Sequence, residues 1–322
     1  MPSRSLVVGS RGSRLALAQA EWILARLRER GCDARLQIVT TTGDRQATAA
    51  LEALGGEGIF VKEIQAALLA GTIDVAVHSC KDLPTTEPSG LLIAAVPERA
   101  DPRDLLVAHG ARSLRALPTG ALVGTGSPRR VAQARRLRPD LAFVPIRGNV
   151  DTRVAKWRAG ACDALLLASA GIARLSLEVE GRPLDPQEML PAVAQGALAI
   201  ETRGDDAEAR TAVSGIGDAA AAAQVAAERA FLAALGGGCR APIAALAERD
   251  GDRLRLRGLV IDPFGRRVEA GETTGDPARP EEIGRALAAE LLARGAALIL
   301  ARARDADRGA AKASTAGPIG SA

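Results

Sequence analysis

Apolar and polar positions follow two periods along the first two thirds of the chain. Short apolar runs predict strands over 5–8, 35–41, 73–78, 105–108, 122–124, 143–146 and 164–168. Between them, apolar residues recur at helical spacing over 14–30, 60–69, 128–137 and 152–158. This strand–loop–helix rhythm predicts α/β sheets with helices on both faces. A loop-rich stretch over 181–191 precedes one more apolar run at 196–201, expected to return to the first sheet.

From Asp218 the pattern changes. A long Ala-rich helix is predicted over 219–235 and runs into a glycine loop. Residues 253–261 alternate in period two, turn at DPFG and run back over 267–272, a hairpin signature. A helix over 281–294 completes a small α+β unit, and the Ala-, Gly- and Ser-rich tail from Asp305 is expected to be disordered.

At 322 residues the chain has room for two or three domains. Aromatics make up only 2% and tyrosine is absent, so aliphatic side chains must fill the cores and base-stacking platforms are not expected. The net charge of +4 admits an anionic ligand without calling for a polyanion. No apolar run reaches the length of a membrane span, and in MPSRSLVVGSRGSRLALA charges interrupt any signal-peptide core. Cys32, Cys80, Cys162 and Cys239 lie far apart without metal-ligand spacing. A cytoplasmic protein with reduced thiols, no bound metal and no nucleic-acid or membrane partner is therefore expected.

Three loops share one design. Ser13 in GSRGS is placed to cap the helix that begins at Arg14. In GTGSPRR, Ser127 is the expected N-cap, Pro128 takes the first helical position, and Arg129 and Arg130 fall in the first turn. In IRGNVDTR, Arg147 precedes a glycine turn and Arg153 lies in the next helix. Arginine in a first turn opposes the helix dipole, which makes sense if an anion sits there. One such loop is most simply solvated surface; three, each after a strand, point to an anion site.

VHSCKDLPT ends a strand in His78 and Ser79 and then sets Lys81 beside Asp82 ahead of a proline turn. The edge of a sheet is a favoured ligand position, although a surface ion pair would look the same. LGGGCRA puts Cys239 behind three glycines and beside Arg240, a cation that favours the thiolate. A structural cysteine after a helix cap and a nucleophile or attachment point both remain open on these residues.

The ordered set RGSRLALAQA, TTGD, GIFVKE, DVAVHSCKDLPT, ERADPRD, VGTGSPRR, IRGNVDTR, LPAVAQGALAIE, AERAFL and GGGCRAPI resembles the porphobilinogen deaminase family. The resemblance runs from Val7 into the third domain. It implies two periplasmic-binding-protein-like α/β lobes with a crossed-over chain plus a small α+β C-terminal domain. Residues 1–99 with 196–215 would form the first lobe, 100–195 the second and 216–304 the third domain, with 305–322 a disordered tail.

The implied reaction joins four porphobilinogen molecules head to tail on a dipyrromethane cofactor held by a thioether to Cys239. Ammonia is lost at each addition, leaving an electrophilic azafulvene and positive charge on pyrrole nitrogen, and hydroxymethylbilane is released by hydrolysis for tetrapyrrole biosynthesis. Asp82 matches the family's catalytic aspartate. Ser13, Lys81, Asp82, Thr125, Ser127, Arg129, Arg130 and Arg147 match its cofactor contacts, and Arg11, Ser13, Arg147, Arg153 and Arg174 its substrate contacts. A monomer that hands its product transiently to uroporphyrinogen-III synthase is the implied setting.

Two departures stand out. Glu57 in GGEG replaces a lysine common in the family, so that lysine's role does not transfer, and Pro128 replaces a leucine. The rival reading is a non-enzymatic two-lobed small-anion-binding protein, which would need neither Cys239 on its loop nor a third domain.

Overall fold

The apolar run after Ser5 becomes β1 (Leu6–Ser10), and Ser13 caps α1 (Arg14–Glu29), accepting from the Ala16 amide at 3.3 Å. The computed structural model describes residues 4–40, 61–237 and 241–315. Glu57, Cys239 and Arg240 lie outside the described residues.

The first sheet joins β1 to β2 (Ala34–Ile38), β3 (Val75–Ser79), β4 (Leu91–Ala95) and β10 (Leu198–Arg203), in the order β2-β1-β3-β10-β4. Strand β1 is parallel to β2 and β3, whereas β10 is antiparallel to β3 and β4. Ala20, Ile23, Leu24 and Leu27 of α1 pack on Leu6, Val8, Val75 and Val77 of the sheet. Each fully buried Leu or Ile of this kind is worth about 1.5–3 kcal/mol. Helices α2 (Lys62–Leu69) and α6 (Ala207–Ser214) belong to the same lobe.

The second sheet repeats the plan with β5 (Asp104–Ala108), β6 (Leu122–Gly124), β7 (Ala142–Val144), β8 (Ala164–Ala168) and β9 (Gly181–Pro183), ordered β7-β6-β8-β5-β9. Here β6 is parallel to β7 and β8, and β5 is antiparallel to β8 and β9. Helices α3 (Pro128–Leu137), α4 (Val150–Arg158) and α5 (Ser169–Arg174) complete the lobe. Leu106 and Leu166 face one core, while Leu105, Val107, Leu165 and Leu167 face another, so both faces are covered. In each lobe the antiparallel strand, β5 or β10, is the first strand after the chain crosses over. The result is two α/β lobes of like strand order, joined by a chain that crosses between them, with a separate α+β domain.

That domain packs α7 (Ala219–Ala234) and α8 (Pro280–Ala293) on the meander β11 (Ile243–Asp250), β12 (Arg253–Ile261) and β13 (Val268–Gly275). Phe231, Leu256, Val260, Leu287 and Leu291 form its core, which continues onto Val96, Val193 and Ala194 of the two crossing segments. The third domain is therefore seated where the lobes join.

Three expectations need correction. The loop-rich stretch contains β9, whose GRP sequence carries little strand propensity and is recruited by pairing with β5. The tail from Asp305 continues α9 (Ala296–Thr315) up to Thr315, because its alanines favour helix more than its glycine opposes it. Strands β4 and β11 were not anticipated. Both are short apolar runs rich in alanine, without the alternation that marks a strand. Among the described residues no helix is long and apolar enough to cross a membrane.

Candidate active site

The expected side chains lie on loops that follow β1, β3, β6 and β7 and on helices after β7 and β8. Arg14 of α1 in the first lobe reaches Asp151 of α4 in the second at 3.4 Å. Ser13 and Ser127 are both N-caps, Ser127 accepting from the Arg130 amide at 3.5 Å, and Pro128 holds the first helical position as expected. Thr125 is buried, and its Oγ1 accepts from the Ser127 amide at 3.2 Å. In each case the hydroxyl uses its oxygen on the backbone and keeps its hydrogen to donate.

Beyond β3 the chain makes one short turn over Cys80–Asp82. It buries the Cys80 side chain, leaves Lys81 half-buried and exposes Asp82. Loss of water pushes the Cys80 thiol up to about 11, which keeps it protonated and inert. The same loss pulls the Lys81 amine down to about 8 against the opposing pull of Asp82, with Arg130 and Arg129 adding to the depression and Asp104 resisting it. Lys81 Nζ donates to Gln195 Oε1 at 3.3 Å.

Opposite this turn stand the cations of the second lobe. Gly148 takes φ +109°, a conformation open to glycine, and its carbonyl accepts from Arg153 Nε at 2.8 Å. Desolvation lowers Arg153, and Arg130 adds to that while Asp82 counters it, which places all three within electrostatic reach of one another. Arg174 of α5 donates to the Gly196 carbonyl at 2.7 Å, and desolvation lowers it to about 10. Arg147 is exposed and Arg11 half-buried, both on loops that follow strands.

Arg129 and Arg130 differ from the sequence expectation. Both are buried and paired with Asp104, which is fully buried at the start of β5. Arg129 donates to Asp104 Oδ2 at 2.7 Å and to the Leu190 carbonyl at 2.7 Å. Arg130 donates to Asp104 Oδ1 through Nη2 at 2.7 Å and Nε at 2.9 Å, and to the Leu166 carbonyl at 3.1 Å. Burial alone would raise the Asp104 carboxyl, but the two guanidinium groups outweigh it and hold it well below the usual carboxylate range. The anion that offsets these first-turn cations is thus internal, supplied from 25 and 26 residues earlier in the chain.

Sequence reasoning missed the groups that tie this cluster to the crossings. Gln195 Nε2 donates to Asp104 Oδ1 at 3.0 Å and to the Pro102 carbonyl at 2.8 Å. Arg99 donates to the Gln195 carbonyl at 3.0 Å and grips buried Glu228 of α7 at 2.7 and 3.0 Å. Glu228 also accepts from the amides of Ala194 at 2.6 Å and Ala247 at 2.8 Å. A signal was present: Gln195 is the one side chain with hydrogen-bonding capacity over residues 191–200.

The comparisons with known proteins agree across the chain. The family model "Porphobilinogen deaminase, dipyromethane cofactor binding domain" matches residues 6–211, and "Porphobilinogen deaminase, C-terminal domain" matches 222–293. Porphobilinogen deaminase of Acidothermus cellulolyticus is 49% identical over 300 residues, covering 92% of this chain and 91% of its own. That of Rubrobacter xylanophilus is 50% identical over 295 residues, covering 92% and 96%. Among solved structures, the methionine-binding protein MetQ aligns at 13% identity and a TM-score of 0.42, over 66% of this chain and 89% of its own. Through both lobes and the third domain, the chain belongs to the porphobilinogen deaminase family.

Proposed function

We propose that Asp82 is the catalytic carboxylate of this enzyme and that Cys239 holds its cofactor through a thioether. Family membership gives the reaction: four porphobilinogen molecules are condensed head to tail, ammonia leaves at each addition, and hydroxymethylbilane is released into tetrapyrrole biosynthesis. The cofactor is of the dipyrromethane type. When bound, it supplies the pyrrole terminus to which each new unit is joined.

The observation that carries the reading is an exposed carboxylate beside poorly hydrated cations. Loss of water pulls down Lys81, Arg153 and Arg174, and Asp82, its side chain exposed, acts on the first two. A dipyrromethane and its growing chain carry acetate and propionate groups, which suit this donor set. Guanidinium groups of Arg11, Arg147, Arg153 and Arg174, with the Lys81 amine, bind those carboxylates, the arginines by paired hydrogen bonds. The hydroxyls of Ser13, Thr125 and Ser127 donate beside helix N-termini that favour anions. Arg129 and Arg130 contribute chiefly charge, since Asp104 and backbone carbonyls occupy most of their donors.

Asp82 accepts hydrogen bonds from pyrrole N–H groups and stabilises the positive charge that develops as the C–N bond to ammonia breaks. Its backbone is set by the short turn that follows β3, which limits the reorganisation needed when that charge appears.

Attachment at Cys239 is supported by the other thiols. Cys32, Cys80 and Cys162 are all buried, and desolvation raises both Cys80 and Cys162. We place the enzyme in the cytoplasm as a monomer that passes its product transiently to uroporphyrinogen-III synthase. Intact-mass measurement of the purified protein tests the core of this reading. A dipyrromethane-sized excess mapped to the Cys239 peptide, lost in Cys239→Ser along with turnover, is expected. An adduct on another cysteine would refute the attachment.

A further inference from the structure

We infer that Gln195 is a positioning residue of the active site, its carboxamide fixing the Lys81 amine of the first lobe against the Asp104–Arg130 pair of the second. The inference rests on the reading of Lys81 as a carboxylate-binding group. Gln195 lies on the return crossing and is 1% exposed.

Both ends of the amide are committed. Oε1 accepts from Lys81 Nζ at 3.3 Å and, more weakly, from Arg130 Nη2 at 3.5 Å. Nε2 donates to Asp104 Oδ1 at 3.0 Å and to the Pro102 carbonyl at 2.8 Å. The orientation follows from chemistry. An ammonium and a guanidinium can only donate, while a carboxylate and a carbonyl can only accept, so a flipped amide would oppose like to like at every contact.

The backbone around Gln195 is held in an unusual shape. Ala194 adopts φ +57°, in the left-handed region that a residue with a Cβ seldom enters. Gly196 takes φ +87°, and a Cβ there would lie 2.4 Å from the Ala100 carbonyl oxygen. Between them the Gln195 amide donates to the Ala192 carbonyl at 3.0 Å, and its carbonyl accepts from Arg99 at 3.0 Å. Left-handed conformation of this kind persists where the surroundings over-determine it, commonly at functional positions. Here it aims one side chain at an amine from one lobe and a carboxylate from the other.

Holding the crossing alone would require just the Pro102 and Arg99 contacts. The contact to Lys81 does something else: it gives the ammonium a neutral acceptor among Asp82, Asp104, Arg129 and Arg130, the charged groups that act on it. This contact steers the amine without neutralising it.

The test uses the holoenzyme with Gln195→Leu and Gln195→Glu. Acylation of Lys81 with trace acetic anhydride across pH, quantified by peptide mass spectrometry, reads its ionisation directly, and kcat/KM is measured alongside. With leucine, the Lys81 titration should move down by about half a unit or more, and kcat/KM should fall about ten- to a hundred-fold through loss of a charged hydrogen bond. With glutamate, an added anion in the same place should move the titration up. Unchanged Lys81 titration in both variants, whatever the activity, overturns the inference. If leucine does not fold, the glutamate variant decides on the direction of its shift. Shifted titration with unaltered kcat/KM would keep Gln195 as the group that positions Lys81 and remove Lys81 from the substrate-binding set.

Discussion

Two clusters of charge meet at Gln195 in this enzyme and have opposite characters. At the start of β5, Asp104 is fully buried and meets Arg129 and Arg130 with near-ideal hydrogen bonds. After β3, Asp82 is exposed among cations that desolvation has weakened. The first cluster is closed, with its hydrogen-bond donors met by Asp104 and backbone carbonyls within the fold. The second is open: its carboxylate faces solvent, and loss of water rather than an ideal buried pair sets the state of the cations beside it. A charge locked inside the fold serves shape, whereas one kept at the surface can serve chemistry.

The largest effect expected from breaking this contrast falls on the closed cluster. Asp104→Asn leaves two buried guanidinium groups without their carboxylate, a loss of about 3–5 kcal/mol of stability for a broken buried pair. Chemical denaturation should show it directly. Replacing Arg129 or Arg130 by leucine should likewise cost more in stability than in binding, since each substitution strands part of the Asp104 charge. The folded Asp104 carboxyl is depressed, so its contribution is complete above the unfolded value near 4 and fades as pH drops below it. A wild-type Tm that falls no faster in acid than that of Asp104→Asn would break the contrast.

At the open cluster the effect should move to rate. Asp82→Asn keeps a hydrogen-bond acceptor for pyrrole N–H but removes the negative charge, with an expected loss of about 10²- to 10³-fold in single-turnover rate. The fold and the mass of the bound cofactor should remain as in the wild type. Near-normal porphobilinogen addition in cofactor-loaded Asp82→Asn would make Asp82 a turn residue beside Lys81 and dissolve the distinction.

Lys81 should respond to pH in the opposite sense from Asp104. Its amine is held near 8, below its ordinary value, because of lost water. As pH rises through 8 the free enzyme loses this cation, so kcat/KM should decline on the alkaline side. A bound carboxylate favours the charged form, so the decline in kcat should lie at higher pH. Lys81→Arg, which stays charged, should abolish the limb near 8. An unaltered profile in that variant would assign the titration elsewhere.

Much of the open cluster was legible in the sequence, because its parts are local. A strand end followed by Lys81, Asp82 and a proline turn, or Ser127 and Pro128 ahead of an amphipathic run, is written in neighbouring residues; helix α3 and strands β6, β8 and β12 have the predicted bounds. The closed cluster is a tertiary product. Asp104 follows Arg103 in an ordinary-looking loop-to-strand junction, and nothing in its spacing shows that α3 will lay two arginines upon it. The sequence logic that Arg129 and Arg130 need an anion was sound, but the anion's source depends on how β5 sits beside β8. Gln195 was hidden for the same reason, its partners coming from 91 and 114 residues away.

The smallest effect is expected at Ala194, on the segment that links the two clusters without contributing charge to either. Its left-handed φ of +57° costs an alanine about 1 kcal/mol, which glycine would recover. Against that, Ala194→Gly removes a methyl from the buried core of the crossing, worth about 0.8 kcal/mol. It also frees the unfolded chain, at a further cost of about 0.4–1 kcal/mol. The balance is a net loss of about 0.2–0.8 kcal/mol, a Tm change of a few degrees at most. Because the Ala194 amide remains bonded to Glu228 and the Gln195 carbonyl to Arg99, the side chain of Gln195 should keep its aim. Turnover and the alkaline limb should therefore match the wild type. A large fall in activity at intact stability would mean that the methyl, rather than these backbone hydrogen bonds, fixes the crossing and couples the closed cluster to the open one.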